Sequence, residues 1–150
     1  MTKKTKDIVF DIDGTLANLN HRLHYMKDRP KNWKGFHKGV REDSVYEDVV
    51  WLLKMFQASG CRIVIATGRS DRQKEDTIWW LENVAKITFD AIYMREKNDY
   101  RDDGIVKKEM LDQMRLDGYD PFMVFDDRNS VVAAWRDCGV RCMQVAPGDF

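Results

Sequence analysis

The residues best able to do chemistry in this 150-residue chain are acids placed directly after short apolar runs. Ile8 to Phe10 leads into Asp11-Ile12-Asp13-Gly14-Thr15, and Phe122 to Phe125 leads into Asp126-Asp127-Arg128. Four carboxylates brought to one place repel one another unless a cation bridges them. With oxygen donors and no Cys or His beside them, that cation is a hard one, read as Mg²⁺ held by Asp11, Asp13, Asp126 and Asp127. A carboxylate on such a cation can attack phosphorus and form an acyl-phosphate that water then opens, which makes Asp11 the candidate nucleophile. Asp13, two residues on, is placed to protonate a leaving oxygen and afterwards to deprotonate the hydrolytic water. Gly14 lets the chain turn beside it. Charge on the phosphoryl oxygens calls for further donors. Those expected are the Thr67 hydroxyl, which follows the apolar run Ile63 to Ala66, backbone N–H groups at the start of the next helix, and a lysine. Lys107, four residues after Asp103 and near a helix start, is preferred to Lys108 and Lys97. A single Asp after a strand is readily explained as a turn residue; two pairs so placed fit that role poorly.

Bringing these groups to one edge requires a sheet. The runs Ile8 to Phe10, Ile63 to Ala66, Ala91 to Met94, Phe122 to Phe125 and Cys142 to Ala146 lack polar alternation, as strands buried on both faces do. Helical patterns lie between them. Ser44 with Glu47 reads as a capping box before Val45 to Ala58, and Ser70 with Gln73 as another before a segment ending near Val84. Further helices are expected over Ile105 to Leu116 and from Asn129 to Cys138, with Gly60 and Gly139 as stops. Trp79, Trp80, Leu81 and Val84 read as one helix packing on the sheet. The alternation predicts an α/β fold, a Rossmann-like open and mostly parallel sheet with helices on both faces, in a single domain over residues 1–150. Ligands then bind at the carboxyl ends of the strands. An insert at about residues 18–43 parts the first strand from its helix by far more chain than a connection needs, and long loops commonly serve a site.

The insert also holds the charge. The chain has 25 Lys or Arg and 25 Asp or Glu, a formal net charge of zero. Between His21 and Arg41, however, Arg22, Lys27, Arg29, Lys31, Lys34, Lys38 and Arg41 face Asp28 alone, so a basic insert is set against an acidic body. Tyr25, Trp33 and Phe36 are interleaved with these cations. That composition suits a surface that pairs with phosphates and stacks on bases, and equally a loop whose aromatics form their own small core. With 43% hydrophobic residues, pervasive disorder is excluded. No uncharged stretch approaches the roughly 20 residues a membrane span needs, and the basic Met1 to Lys6 lacks a signal-peptide core. A cytoplasmic protein without a membrane partner is expected. Cys61, Cys138 and Cys142, odd in number and without metal-ligand spacing, read as reduced core thiols.

Taken in order, Asp11-Ile12-Asp13-Gly14-Thr15, Thr67, a lysine near a helix start and Asp126-Asp127 resemble the four motifs of the haloacid dehalogenase superfamily of phosphotransferases. Nearly the whole chain is similar to the 3′-phosphatase domain of bacteriophage polynucleotide kinase-phosphatases. The similarity runs through Leu16-Ala17 followed by Arg22, Thr67-Gly68-Arg69, Met94-Arg95-Glu96, Asp103 with Lys107, Asp126-Asp127-Arg128 through Val131-Val132 and Trp135-Arg136, and the stretch Gln144 to Phe150. The resemblance implies a HAD-like fold with a small cap. It also implies a Mg²⁺-dependent phosphatase that removes 3′ phosphates from DNA or RNA ends through an aspartyl-phosphate, in nucleic-acid end repair. Opening of 2′,3′-cyclic phosphates on RNA and a separate kinase or ligase as partner belong to the same picture. By position, Asp11 is then the nucleophile and Asp13 the general acid/base. Arg22, Gly68, Arg69, Asp103 and Lys107 lie in or around the site, Arg95 and Arg128 at less critical basic positions, and Asp126 and Asp127 serve the metal, one of the two directly and the other directly or through a neighbouring ligand. No G-x-x-x-x-G-K-[ST] stretch occurs, so no 5′-kinase activity is expected. Thr67 stands where some relatives have Ser, which keeps the hydroxyl. The insert shares little detailed sequence with the phage enzyme, although a small basic cap would leave the site open to a polymer end. A nucleotidase with the same catalytic groups and a non-catalytic end-binding subunit are the competing readings.

Overall fold

The computed structural model describes residues 5–150; the Met1–Lys4 part of the basic N-terminal stretch lies outside the described residues. The chain opens with β1 (Asp7–Phe10) and then enters the insert. The insert is structured: it contains β2 (Ala17–Asn18), a 3₁₀ turn over Asn20–Met26, α1 (Trp33–Lys38), a second 3₁₀ turn over Val40–Glu42 and β3 (Ser44–Val45). The antiparallel pair of β2 and β3 closes it at its base, with Ala17 opposite Val45. The body continues with α2 (Glu47–Ala58), β4 (Arg62–Ser70), a 3₁₀ turn over Asp71–Gln73, α3 (Lys74–Asn83) and β5 (Ala91–Arg95). It ends with α4 (Asp103–Leu116), β6 (Pro121–Asp126), α5 (Asn129–Asp137) and β7 (Cys142–Gln144).

Five strands form one parallel sheet in the order β5-β4-β1-β6-β7. The apolar runs are buried on both faces because helices cover both. One face packs Ile8, Phe10, Ile63 and Ile65 against Val50 and Leu53 of α2 and Trp80 and Leu81 of α3. The other packs Val9, Val64 and Val124 against Val106, Met110 and Met114 of α4 and Val131, Val132 and Trp135 of α5. Chain order runs outward from β1 through β4 to β5, then jumps back to β6 and outward to β7. The carboxyl ends of β4, β1 and β6 therefore meet where the winding reverses, the place such sheets offer to ligands. This is the fold the strand pattern predicts.

Four local expectations are corrected. The Ser44/Glu47 capping box does not form: Ser44 is taken by β3, and α2 starts at Glu47 behind Tyr46 without a side-chain cap. Ser70 does cap, accepting from Arg72 N at 3.3 Å, but it caps a 3₁₀ turn that precedes α3. Strand β4 continues past Ala66 through Thr67-Gly68-Arg69, with its register to β5 interrupted between Thr67 and Ser70. Trp80 is fully buried on the sheet, whereas Trp79 is 37% exposed and lies under the Arg41 guanidinium at 4.6 Å, so it supports the insert. All three cysteines are free; Cys142 is buried, while Cys61 and Cys138 are only half-buried. No helix among the described residues is long and apolar enough to cross a membrane.

Candidate active site

Strand β1 stops at Phe10, and the chain folds over the Ile12 carbonyl, which accepts from the N–H groups of Thr15, Leu16 and Ala17 at 2.8 to 3.0 Å. The two acids of this segment, two residues apart, take different partners. Asp11 faces β6 and α4, and Asp13 faces the insert. The expected site residues accordingly fall into three groups.

The first group is Asp11, Asp126, Asp127 and Lys107. Carboxylate oxygens of the three acids lie within 4.8 Å of one another, and all three residues are buried. Lys107, from the first turns of α4, places Nζ 3.0 Å from Asp11 Oδ1, 3.1 Å from Asp126 Oδ2 and 2.8 Å from the Ala66 carbonyl oxygen. Asp126 is fixed further by the Trp135 indole N–H at 3.2 Å and the Asp127 backbone N–H at 2.8 Å. Gly14, at φ +82°, lets the turn approach Asp127, since a Cβ there would stand 2.0 Å from Asp127 Oδ2. Burial, with the Asp126 charge adding to it, raises the Asp11 carboxyl well above the usual range even though Lys107 opposes the shift. The same two causes push Asp127 up to about 6. Lys107 is held protonated: burial opposes its charge, but Asp11 and Asp126 overcome that and raise it. Three acids against one lysine leave negative charge to neutralise, and the donors are all carboxylate oxygens. This donor set fits a hard divalent cation.

The second group is Asp13, Arg69 and Arg22. Arg69 Nη2 lies 2.5 Å from Asp13 Oδ1, and Arg22 Nη2 lies 3.6 Å from the same oxygen. The carboxylate of Asp13 is thus engaged by arginines, and it is not one of the three whose oxygens gather within 4.8 Å. Burial pushes its carboxyl upward, but Arg69 and then Arg22 outweigh that and hold it below the usual range. Thr67 lies beside this group, buried, its hydroxyl accepting from Arg69 N at 3.1 Å.

The third group is Asp103, Arg95 and Arg128. Arg95 Nη2 bonds Asp103 Oδ1, and Arg128 Nη1 lies 2.6 Å from Asp103 Oδ2. Arg95 also donates to the Gly68 carbonyl at 3.0 Å, which ties this group to β4. A Cβ on Gly68 would sit 3.0 Å from Asp103 Oδ1, so a side chain there would press on the Asp103 carboxylate. Within this ion-pair network the two arginines hold Asp103.

One residue missed by sequence reasoning organises the second group. Asp43, at the end of the insert and fully enclosed, accepts from Arg22 Nε and Nη2 at 2.8 Å each and from Arg69 Nη2 at 3.1 Å, and meets His21 Nε2 at 2.7 Å. Its backbone carbonyl accepts from the Trp80 indole at 2.7 Å. Arg22 is 2% exposed, with its guanidinium 4.2 Å over the Phe36 ring. A cation counted in the sequence as part of a basic surface is therefore buried at the site. Trp135 and Thr77, which accepts from Arg69 Nη1 at 3.2 Å, were likewise unforeseen as partners of site residues.

The chain is similar in sequence and fold to known proteins. A protein of Autographa californica nuclear polyhedrosis virus, assigned as a bifunctional polynucleotide kinase/RNA ligase, is 28% identical over 136 residues, covering 90% of this chain and 18% of the viral one. A chain in the structure of the Pnkp1/Rnl/Hen1 RNA repair complex superposes with a TM-score of 0.84 at 33% identity, over 97% of this chain and 44% of that one. This chain thus spans less than half the length of either relative. A haloacid dehalogenase-like hydrolase from Streptococcus pneumoniae shares the fold, with a TM-score of 0.66 at 18% identity over 93% of this chain and 84% of its own. The family model for the polynucleotide kinase PNKP phosphatase domain matches residues 5–150, virtually the whole sequence, and the chain belongs to that family.

Proposed function

We propose that this domain is a Mg²⁺-dependent polynucleotide 3′-phosphatase of nucleic-acid end repair. The observation that carries the reading is the meeting of Lys107 with Asp11 and Asp126 beside Asp127, since it supplies a nucleophile, its counter-charge and a cation site in one buried cluster. Asp11 attacks phosphorus, forming an Asp11 Oδ–P bond as the P–O bond to the 3′ carbon's oxygen breaks. Asp13 gives that oxygen its proton, then takes one from the water that attacks the aspartyl-phosphate, and phosphate leaves with Asp11 restored. Arg69 and Arg22, in turning to phosphate oxygens, release Asp13 to carry the proton. Mg²⁺, held by Asp11, Asp126 and Asp127, would neutralise the carboxylates and phosphoryl oxygens that must approach each other. Lys107 keeps Asp11 oriented throughout. Relatives named for a kinase/ligase and for an RNA repair complex support RNA ends as substrate and a ligase as the partner that uses the cleared 3′ hydroxyl.

The test is phosphate release, with and without Mg²⁺, from a 3′-phosphorylated oligonucleotide, a 3′-mononucleotide and a 5′-phosphorylated oligonucleotide. Mg²⁺-dependent turnover that is best on the first is expected. Equal or better turnover of the mononucleotide would overturn the polymer reading in favour of a nucleotidase. Full activity in Asp11→Asn would remove the covalent mechanism.

A further inference from the structure

The three aromatic residues of the insert have separate environments. The Tyr25 ring packs on Gly35, where a Cβ would lie 2.7 Å from it, and against His24 at 4.1 Å. Phe36 lies beneath Arg22, and its carbonyl accepts from Arg22 Nη1 at 3.2 Å. Both rings are used to build the insert. Trp33 remains 53% exposed, touching Phe36 edge-on and lying nearly parallel to the His37 imidazole, with centroids 5.7 Å apart and planes at 23°.

Resting on the reading of the site as a 3′-end phosphatase, we propose that the Trp33 indole, backed by His37, is the platform on which the base of the 3′-terminal nucleotide stacks. Position supports this, because α1 is rooted in the catalytic groups: Phe36 holds Arg22, which reaches Asp13 at 3.6 Å. His37 lies among the same groups. Its burial first, then the charges of Arg22 and Arg69, lower its proton affinity, leaving a neutral ring suited to stacking. Charge supports it too. Trp33 and His37 are four residues apart on α1, and Lys34 and Lys38 form the next row, so a strip of rings runs beside a strip of ammonium groups. Lys31 adds a third cation, with Nζ 5.8 Å from the Trp33 ring. A strand end presents that same pair of features, a base and the phosphates beside it.

The experiment measures kcat/KM with Mg²⁺ on two 3′-phosphorylated oligonucleotides, one ending in a normal nucleotide and one ending in a stable tetrahydrofuran abasic residue. In the wild type the abasic end should be slower by about tenfold, the size expected of one base stacked on an aromatic ring. Trp33→Ala should bring the ratio of the two substrates to about one, and Trp33→Phe should restore most of it. A wild-type ratio near one, or an unchanged ratio in Trp33→Ala, overturns the platform while leaving the phosphatase reading intact. A wild type that hydrolyses an aryl phosphate but neither oligonucleotide overturns both.

Discussion

At the scale of single residues, the acidic triad makes the metal-free domain sensitive to pH. Burial and the neighbouring Asp126 charge push the Asp127 carboxyl up to about 6 in the folded state, above the usual carboxylate range, and Asp11 is also raised. The folded state therefore holds protons that the unfolded state has already lost, and stability must fall as pH rises through this window. In EDTA the thermal midpoint should drop between about pH 4 and 7. Mg²⁺ should abolish most of that drop, since the cation takes the place of the protons; parallel curves with and without Mg²⁺ would show that the triad holds no ion. A second residue-scale prediction separates two acids that share the same arginines. The Asp43 side chain is fully buried, whereas that of Asp13 is 34% exposed. Asp43→Asn leaves Arg22 and Arg69 without their enclosed counter-charge, at a cost of about 3–5 kcal/mol in urea unfolding. Asp13→Asn should cost clearly less stability but far more turnover. The reverse order in either measurement would mean that the two roles are exchanged.

At the scale of elements, the site depends on how closely loops approach one another, and here the sequence was legible only in part. The strands, the helices and the convergence of Asp11, Asp126, Asp127 and Lys107 follow from local signals: apolar runs, acids directly after them, and a lysine one turn into a helix. The pairing of Asp13 with Arg69 does not, because the two lie 56 residues apart and meet only in the folded sheet. Nor does the role of Asp43, whose partners Arg22 and Arg69 lie 21 and 26 residues away and meet it only once β2 pairs with β3. Close approach also governs the β6–α5 junction, where Asp126 ends the strand and Asp127 opens the turn. A Cβ on Gly148 would lie 1.8 Å from the Asp127 carbonyl oxygen and 2.6 Å from Arg128 Cα, both backbone atoms that cannot step aside alone. Gly148→Ala should therefore destabilise the domain by about 1–3 kcal/mol and weaken Mg²⁺ binding measured by titration calorimetry. Gly60→Ala is the control: its φ of +87° brings strain but no neighbour within 4 Å, so stability should fall modestly with Mg²⁺ affinity unchanged.

At the scale of the whole molecule, the zero net charge conceals a divided surface, but the structure reduces the basic side. Arg22 is buried on Asp43, Arg41 pairs with Asp76 at 2.7 Å, and Arg29 turns to the carbonyls of Met26, Lys27 and Asp28. Among the described residues, Lys27, Lys31, Lys34 and Lys38 enter no ion pair, so four of the insert's seven cations remain to meet phosphates. Each phosphate neutralised on a single strand contributes about −0.7 to the slope of log affinity against log salt. For a 3′-phosphorylated oligonucleotide at sub-saturating concentration, kcat/KM should therefore fall with a slope between about −1 and −3. A small aryl phosphate meets only the enclosed groups, which salt screens far less, and its slope should be much shallower. Replacing Lys34 and Lys38 together with Gln should flatten the oligonucleotide slope by about 1.4 and leave the aryl phosphate slope where it was. Equal slopes for both substrates in the wild type would reduce the insert to a plain lid, its lysines serving solubility, with substrate choice set wholly by the enclosed site beneath it.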